Sequence, residues 1–441
     1  QSIIQKMSIL SRFPLSCSLV FLIFASAANA LSMPTGLVLP VSKDALTKQY
    51  LTSISQRTPP VTVRTTLDLG GHYFWTDCDH GYISSTYKAA GCGSPECEIA
   101  GSNACITQCY SPPRPGCINN TCGIRTDNPL IRSATLSGLG YDAVSMSSTD
   151  GSNPGMVVSI SNLLFGCAPS SLTNGLAQGV QGLGGLGRAN ASLPYQLASA
   201  LGFPKKFALC LSSATNSNGV LFFGDGPYMF LPNVSGSSFL TYSPMIRNPV
   251  STAEAYFRGD SSSDYFLMVQ AIELNGIPVK FKKSLLTFDE HGRGGVKLST
   301  LVPYTVLQTT IYRALIKAFA KALSVVPRVP PVAPFDLCFN STYIDITRLG
   351  PGVPEIGFVL HNKRTIWRMF GANTMVQVAN DVLCLGFVNG GKRGRTSIVI
   401  GGYQMENNLL QFDLESSRFG FSSFLFALRT NCANFNFTTK G

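Results

Sequence analysis

The chain has 441 residues, 45% of them hydrophobic and only 13% charged, with 34 basic against 23 acidic side chains for a formal net charge of +11. Ample apolar content and sparse charge exclude a disordered chain and a basic nucleic-acid arm, and the length predicts two lobes rather than one core. A basic balance suits acidic partners or anionic wall polymers, and charge alone does not choose between them.

Residues 1–30 read as a secretory signal, with Met7 as the start, Arg12 in the positive region, LSCSLVFLIFASAA as the apolar core and Ala28-Asn29-Ala30 as the cleavage site. The apolar run is short and no second run of spanning length follows, so no membrane contact is expected. In chain order, Val61–Asp68, Met156–Phe165, Val220–Phe223, Tyr265–Leu274, Leu383–Val388 and Ser397–Gly401 are predicted strands, being β-branched or aromatic runs bounded by Gly, Asn, Ser and Pro. Helices are few. Ser192–Leu201 is one, and Thr309–Val326 is another, with Arg313, Lys317 and Lys321 opposite Ile311, Leu315, Phe319 and Leu323. That spacing reads as a solvated basic face over a lobe core rather than a membrane-surface helix. The predicted class is mainly β, with a boundary near residues 235–245 that separates a first lobe, 31–239, from a second, 240–441.

Of 13 cysteines, Cys17 lies in the signal. The remaining Cys78, Cys92, Cys97, Cys105, Cys109, Cys117, Cys122, Cys167, Cys210, Cys338, Cys384 and Cys432 are even in number and permit six disulfides in an oxidising compartment. A zinc site is disfavoured because no Cys-x-x-Cys pair occurs and no His lies between Cys92 and Cys122. Pairing cannot be read from cysteine order; Cys338–Cys384 is the expected bridge of the second lobe. Asn119, Asn190, Asn233, Asn340 and Asn436 each begin an Asn-x-Ser/Thr sequon and are expected to be glycosylated. No cofactor or metal is implied.

Two motifs mislead. GLGGLG, residues 182–187, fits a dinucleotide fingerprint, but RANASLPYQL follows it, with a sequon and a proline in the would-be first turns. A Ser–His–Asp set has only His72, His80, His291 and His361 to draw on, and no Gly-x-Ser-x-Gly elbow. TTLDLGG, residues 65–71, is more telling. A strand delivers Asp68 to a glycine-softened corner, the way a carboxylate is presented for acid–base work, which then needs a partner.

The ordering of features resembles the pepsin-like aspartic proteinase fold, in which each of two β lobes carries an Asp-Thr/Ser-Gly loop braced by an apolar-apolar-Gly segment. TLDLGGHYFWTDC resembles the first loop and VQGLGGLG its brace, while IVIGGYQMENNLLQFDLESSRFGF resembles the second brace, for coverage of about residues 38–432. The second loop would then be GGVKLSTLVPYT, with Ser299 in the position of the second aspartate and Thr300 and Leu301 after it. Aspartic proteolysis needs two carboxylates sharing one proton, and a serine supplies neither base nor charge. Leu69 also lacks the hydroxyl of the usual Thr. Asp289 and Glu290 lie in a predicted hairpin tip, DEHGRGG, and do not replace the missing acid. Asp68 and Ser299 are therefore expected to be relics of a protease site, with no catalytic residue and no protease activity.

More narrowly, LVLPVSKDALTKQYLT, PRPGCINNTCG, VAPFDLCFN, RTSIVIGG and CANFNFT resemble the plant group of extracellular dermal glycoprotein, basic 7S globulins, nectarin IV and xyloglucan-specific endoglucanase inhibitors, with wheat-type xylanase inhibitors as cousins. The resemblance implies a secreted, extracellular monomer. It implies inhibition of microbial family 12 endoglucanases, with family 11 xylanases as less favoured targets and no nucleic-acid or membrane partner. Arg348 and Arg429 match the two arginines that those inhibitors push into the enzyme cleft; Arg328, Arg393 and Arg395 are the basic residues most easily mistaken for them. The alternative that the same resemblance leaves open is a peptide-hormone-binding or storage and defence globulin without glycosidase inhibition.

Overall fold

The computed structural model describes residues 34–254, 256, 259–423 and 425–439, so the expected leader lies outside the described residues. The molecule is mainly β and pepsin-like, as expected, and no helix among the described residues is long and apolar enough to cross a membrane. Six successive neighbours within a larger sheet run across the two halves. Gly36–Lys43 runs antiparallel to Gly219–Gly224, followed across the sheet by Lys206–Cys210, Leu409–Asp413, Arg418–Phe421 and Thr241–Ile246. The first three come from the N-terminal half and the last three from the C-terminal half. Beneath this seam Phe207 stacks on Phe412 at 4.5 Å, and Tyr265 and Phe419 close around the pair with Trp367 behind. All five are fully buried, and each side chain contributes roughly 1.5–3 kcal/mol by leaving water.

Each half also contains two parallel strand pairs, and one pair from each half positions the site. Val61–Asp68 lies parallel to Gly182–Gly185, with Asp68 opposite Gly185. Val296–Leu298 lies parallel to Ile398–Ile400, with Leu298 opposite Ile400. The glycine cluster at 182–187 is thereby explained as packing. A Cβ at Gly182 would collide with the Trp75 carbonyl, and one at Gly185 with that of Tyr73.

Several predicted elements form, the helix expected at Thr309–Val326 ending four residues early and that expected at Ser192–Leu201 beginning after its cap Ser192. Val61–Asp68 is a strand with those bounds, and helices occupy Leu193–Leu201 and Thr309–Ala322. The second helix buries Ile311, Leu315 and Phe319 and exposes Arg313, Lys317 and Lys321. Two predicted strands are each divided. Tyr265–Leu274 yields Phe266–Leu267, which pairs with 296–297, and Ala271–Leu274, which pairs with Ile356–Val359 in another sheet. Leu383–Val388 yields Val382–Leu385 and Phe387–Asn389, again with different partners. The twelve cysteines pair as 78–167, 92–105, 97–122, 109–117, 210–432 and 338–384, which includes the expected second-lobe bridge.

Candidate functional site: a paired-loop cleft and two arginine loops

Asp68 and Ser299 line one cavity of about 490 Å³. Continuing the register of the second parallel pair, Ser299 follows Leu298 as Asp68 follows Leu67, and its amide donates to the Ile400 carbonyl at 2.9 Å. The two loops are tied across the halves by one side chain. Thr300 Oγ1 donates to the Leu67 carbonyl at 2.6 Å and accepts from the Leu69 amide at 3.2 Å. Leu69 has no hydroxyl to return the bond and is fully buried instead. The tie is one-sided.

Asp68 has company that its own motif does not announce. Asp127, Asp264 and Lys297 line the same cavity, and a Cβ at Gly70 would run into the Asp264 carboxylate, so the glycine of TTLDLGG admits a side chain from the other half. Asp68 Oδ1 accepts the Gly70 amide at 2.9 Å. Burial, then the charges of Asp127 and Asp264, push its carboxyl up to about 7 against the pull of the Gly70 amide and Lys297. Asp127 is pushed to about 6, first by burial and then by Asp264 and Glu254. Asp264 is different. Burial opposes its charge, but the Lys297 ammonium, 2.8 Å from Oδ2, and the Thr252 and Ser262 hydroxyls hold it below the usual carboxylate range. Lys297 is a lone charge within the strand VKL, whereas Asp127 and Asp264 lie in polar stretches, TCGIRTDN and SSSD, that do not single them out. The tip of the hairpin joining Thr121–Asn128 to Ser133–Thr149 covers the cavity with Pro129, Leu130 and Arg132. Asp289 and Glu290 do not line it; Asp289 caps its own turn through the amides of His291 and Arg293.

Arg348 and Arg429 lie outside this cavity. Arg348 is exposed in the turn between Ile346–Thr347 and Gly350–Pro351, where Thr347 Oγ1 donates to the Gly350 carbonyl and accepts the Leu349 amide. Arg429 is exposed too, and its φ of 60° is left-handed, a conformation seldom adopted without support. The support is visible. Short 3₁₀ turns flank it at Leu425–Leu428 and Cys432–Asn434, Thr430 Oγ1 donates to the Leu231 carbonyl, and Cys432 is bonded to Cys210. The two loops anchor on separate segments, 372–373 and 406–407, which are joined by a hydrogen bond. Ala372 donates to the Leu349 carbonyl, its neighbour Asn373 to the Glu406 carbonyl, and Asn407 receives the Leu425 and Cys432 amides. Among the described residues neither guanidinium has an ion-pair partner, whereas Arg328 bonds the Ala320 carbonyl and Arg395 those of Ser251 and Ala253. Arg393 sits on the cavity rim. Of the sequon asparagines, Asn119, Asn190 and Asn233 are exposed, while Asn340 and Asn436 are half-buried and hold their own turns through Oδ1.

Two lobes, a shared sheet and paired loops at matching strand ends define an aspartic-proteinase-like fold. Residues 50–225 match the family described as xylanase inhibitor N-terminal and residues 264–423 the one described as xylanase inhibitor C-terminal, together more than half of the chain. The chain belongs to this family. It is 53% identical to "Probable aspartic proteinase GIP2" of Nicotiana benthamiana, across 96% of this chain and 97% of that one. It is 45% identical to gamma conglutin 1 of Prunus dulcis, across 96% of each. Among solved structures, that of edgp superposes with a TM-score of 0.91 at 50% identity, covering 92% of this chain and 99% of the other. Lupine conglutin gamma gives 0.80 at 37% identity, covering 92% of this chain and 100% of the other.

Proposed function

We propose that the protein is a secreted, glycosylated inhibitor of microbial glycoside hydrolases, directed at xyloglucan-specific endoglucanases of family 12, and that it has no aspartic protease activity. The carrying observation is that Arg348 and Arg429 are exposed on braced loops, without a carboxylate partner among the described residues. A retaining glycosidase offers two carboxylates about 5 Å apart in a sugar groove. A guanidinium is planar, permanently charged and matched in shape to carboxylates, so a rigidly presented arginine can enter such a groove and pair there once desolvated. Bracing matters because a loop already in its bound conformation loses less entropy on docking. Secretion is supported by six disulfides. Glycans are proposed at all five sequons, with Asn119, Asn190 and Asn233 the most open.

An inhibition panel against family 11 and family 12 hydrolases tests this reading. Tight stoichiometric inhibition of a family 12 endoglucanase is expected, and Arg348→Ala and Arg429→Ala each weaken it by at least ~2 kcal/mol, roughly 30-fold in Ki. Unchanged inhibition by the double variant would sink the arginine mechanism, and no inhibition of any member of the panel would favour the globulin-type binding role. Peptide substrates at pH 3–4 should remain uncut; cleavage blocked by a statine-type inhibitor would revive the protease.

A further inference from the structure

We propose that the exposed face of the helix Thr309–Ala322, with the chain at its two ends, is a docking track for a linear carboxylated polysaccharide of the polyuronate class. None of its cations lines the cavity above Asp68, none belongs to the arginine loops, and the proposal does not rest on glycosidase inhibition.

The track is a single row of positive charge. Arg313, Lys317 and Lys321 recur every fourth residue, so they stand one above another on one helix face, and all three are exposed. Each step along the axis is about 6 Å. Both ends continue the row. The Thr309 amide donates to the Gly391 carbonyl at 3.0 Å and Thr309 Oγ1 to Asn389 Oδ1 at 2.9 Å, which sets the exposed Lys392 beside the first turn. At the other end Arg328, also exposed, donates through Nη2 to the Ala320 carbonyl at 3.2 Å. None of the five forms an ion pair among the described residues. The chain withholds acids from the whole neighbourhood: neither 291–335 nor 382–405 contains an Asp or Glu. The one acid bonded to the helix among the described residues is Asp336, which accepts the Tyr312 hydroxyl at 2.8 Å on the adjoining buried side. Like charges four residues apart repel along a helix, and here no carboxylate offsets them, so the row is relieved by an anion laid along it.

The form of the row selects the partner. A lipid surface needs an apolar helix face to enter it, and the apolar face here, Ile311, Leu315 and Phe319, is buried in the lobe core. Duplex DNA carries one charge per ~1.7 Å of axis, far denser than this row, and no aromatic side chain stands among the five cations to stack on the bases of a single strand. A polyuronate carries one carboxylate per sugar, separated by the length of a ring, and is otherwise covered in hydroxyls. Exposed Thr310 and Ser324 extend the same face by three residues at either end and offer hydroxyls to such a chain.

Calorimetric titration of the full-length secreted protein at neutral pH tests this, using an oligogalacturonate long enough to span the row, its methyl ester, polyglutamate, a DNA duplex and phosphatidylserine vesicles. The oligogalacturonate should bind most tightly, and added salt should weaken it. Lys317→Gln/Lys321→Gln should reduce its affinity about 10-fold or more with an unchanged melting profile, while Lys317→Arg/Lys321→Arg retains it. Lys88→Gln/Lys205→Gln, which removes the same charge from the exposed surface of the N-terminal half, and Arg348→Ala/Arg429→Ala should bind as the parent does. No binding of the oligogalacturonate, or equal binding of its methyl ester, would overturn the proposal. So would tighter binding of polyglutamate, DNA or vesicles, and so would a loss no greater in the helix variant than in the Lys88/Lys205 variant.

Discussion

Asp68 illustrates how a residue's meaning is set by its neighbours. Its folded carboxyl titrates near 7 against 3.8 for the free group, with burial as the first cause. A carboxyl whose pKa is higher folded than unfolded binds its proton more tightly in the native state. Its ionisation therefore costs stability as pH rises from about 4 to about 7, and the cost is complete above that window. Asp68→Asn keeps an acceptor for the Gly70 amide and removes the charge. The variant should be more stable than the parent at pH 8 by up to about 4 kcal/mol, with the difference vanishing near pH 3–4. Urea unfolding at the two pH values checks it, and a destabilised variant at pH 8 would contradict the assignment of an uncompensated carboxylate. The motif around Asp68 was legible in the sequence. Asp127, Asp264 and Lys297 were not, because a charged residue in a strand or a polar loop carries no mark of what it will face.

At the scale of the element, the paired loops depend on Thr300. Its hydroxyl satisfies one carbonyl and one amide of the opposite loop, and Leu69 cannot share that task. Thr300→Val is nearly isosteric and leaves both backbone groups buried without partners, so it should cost about 2 kcal/mol or more, while Thr300→Ser should recover most of it. A lowered urea midpoint at constant slope would report the loss. Strand prediction failed in an instructive way here. Tyr265–Leu274 is mostly apolar, broken only by Gln270 and Glu273, yet the chain leaves one sheet after Leu267 and joins another at Ala271. Hydrophobic periodicity records that a segment is buried; it does not record that the partner strand changes.

Across the whole molecule, the C-terminal tail is fastened to the N-terminal half. Cys210 lies in a strand of the shared sheet and Cys432 follows the Arg429 loop, with a sequence separation of 222 residues. A cross-link that closes so long a loop restricts the unfolded chain heavily. Cys210→Ser/Cys432→Ser should lose about 2–5 kcal/mol of stability, and on the proposed role of Arg429 the inhibition should weaken further than Tm alone explains, because the Arg429 turn loses its anchor. Inhibition equal to the parent at a temperature where the variant is fully folded would show that the bridge does not position Arg429. The shared sheet makes the halves interdependent in the same way, since strands 206–210 and 409–413 are each other's neighbours.

By itself the sequence determined the mainly β class, the two-lobe plan, an even set of cysteines suited to an oxidising compartment, and the positions of Asp68 and Ser299 within a recognisable loop pattern. Those features are local in the chain, carried by residue order, turn residues and composition. Only the tertiary structure decided which cysteines pair, that Thr300 ties the loops, that Asp127, Asp264 and Lys297 line the cavity with Asp68, and that the anchors of the Arg348 and Arg429 loops are joined by one hydrogen bond. Each of these is a contact between residues distant in sequence, fixed by sheet register and by the packing of one half on the other, and a linear pattern holds no record of either.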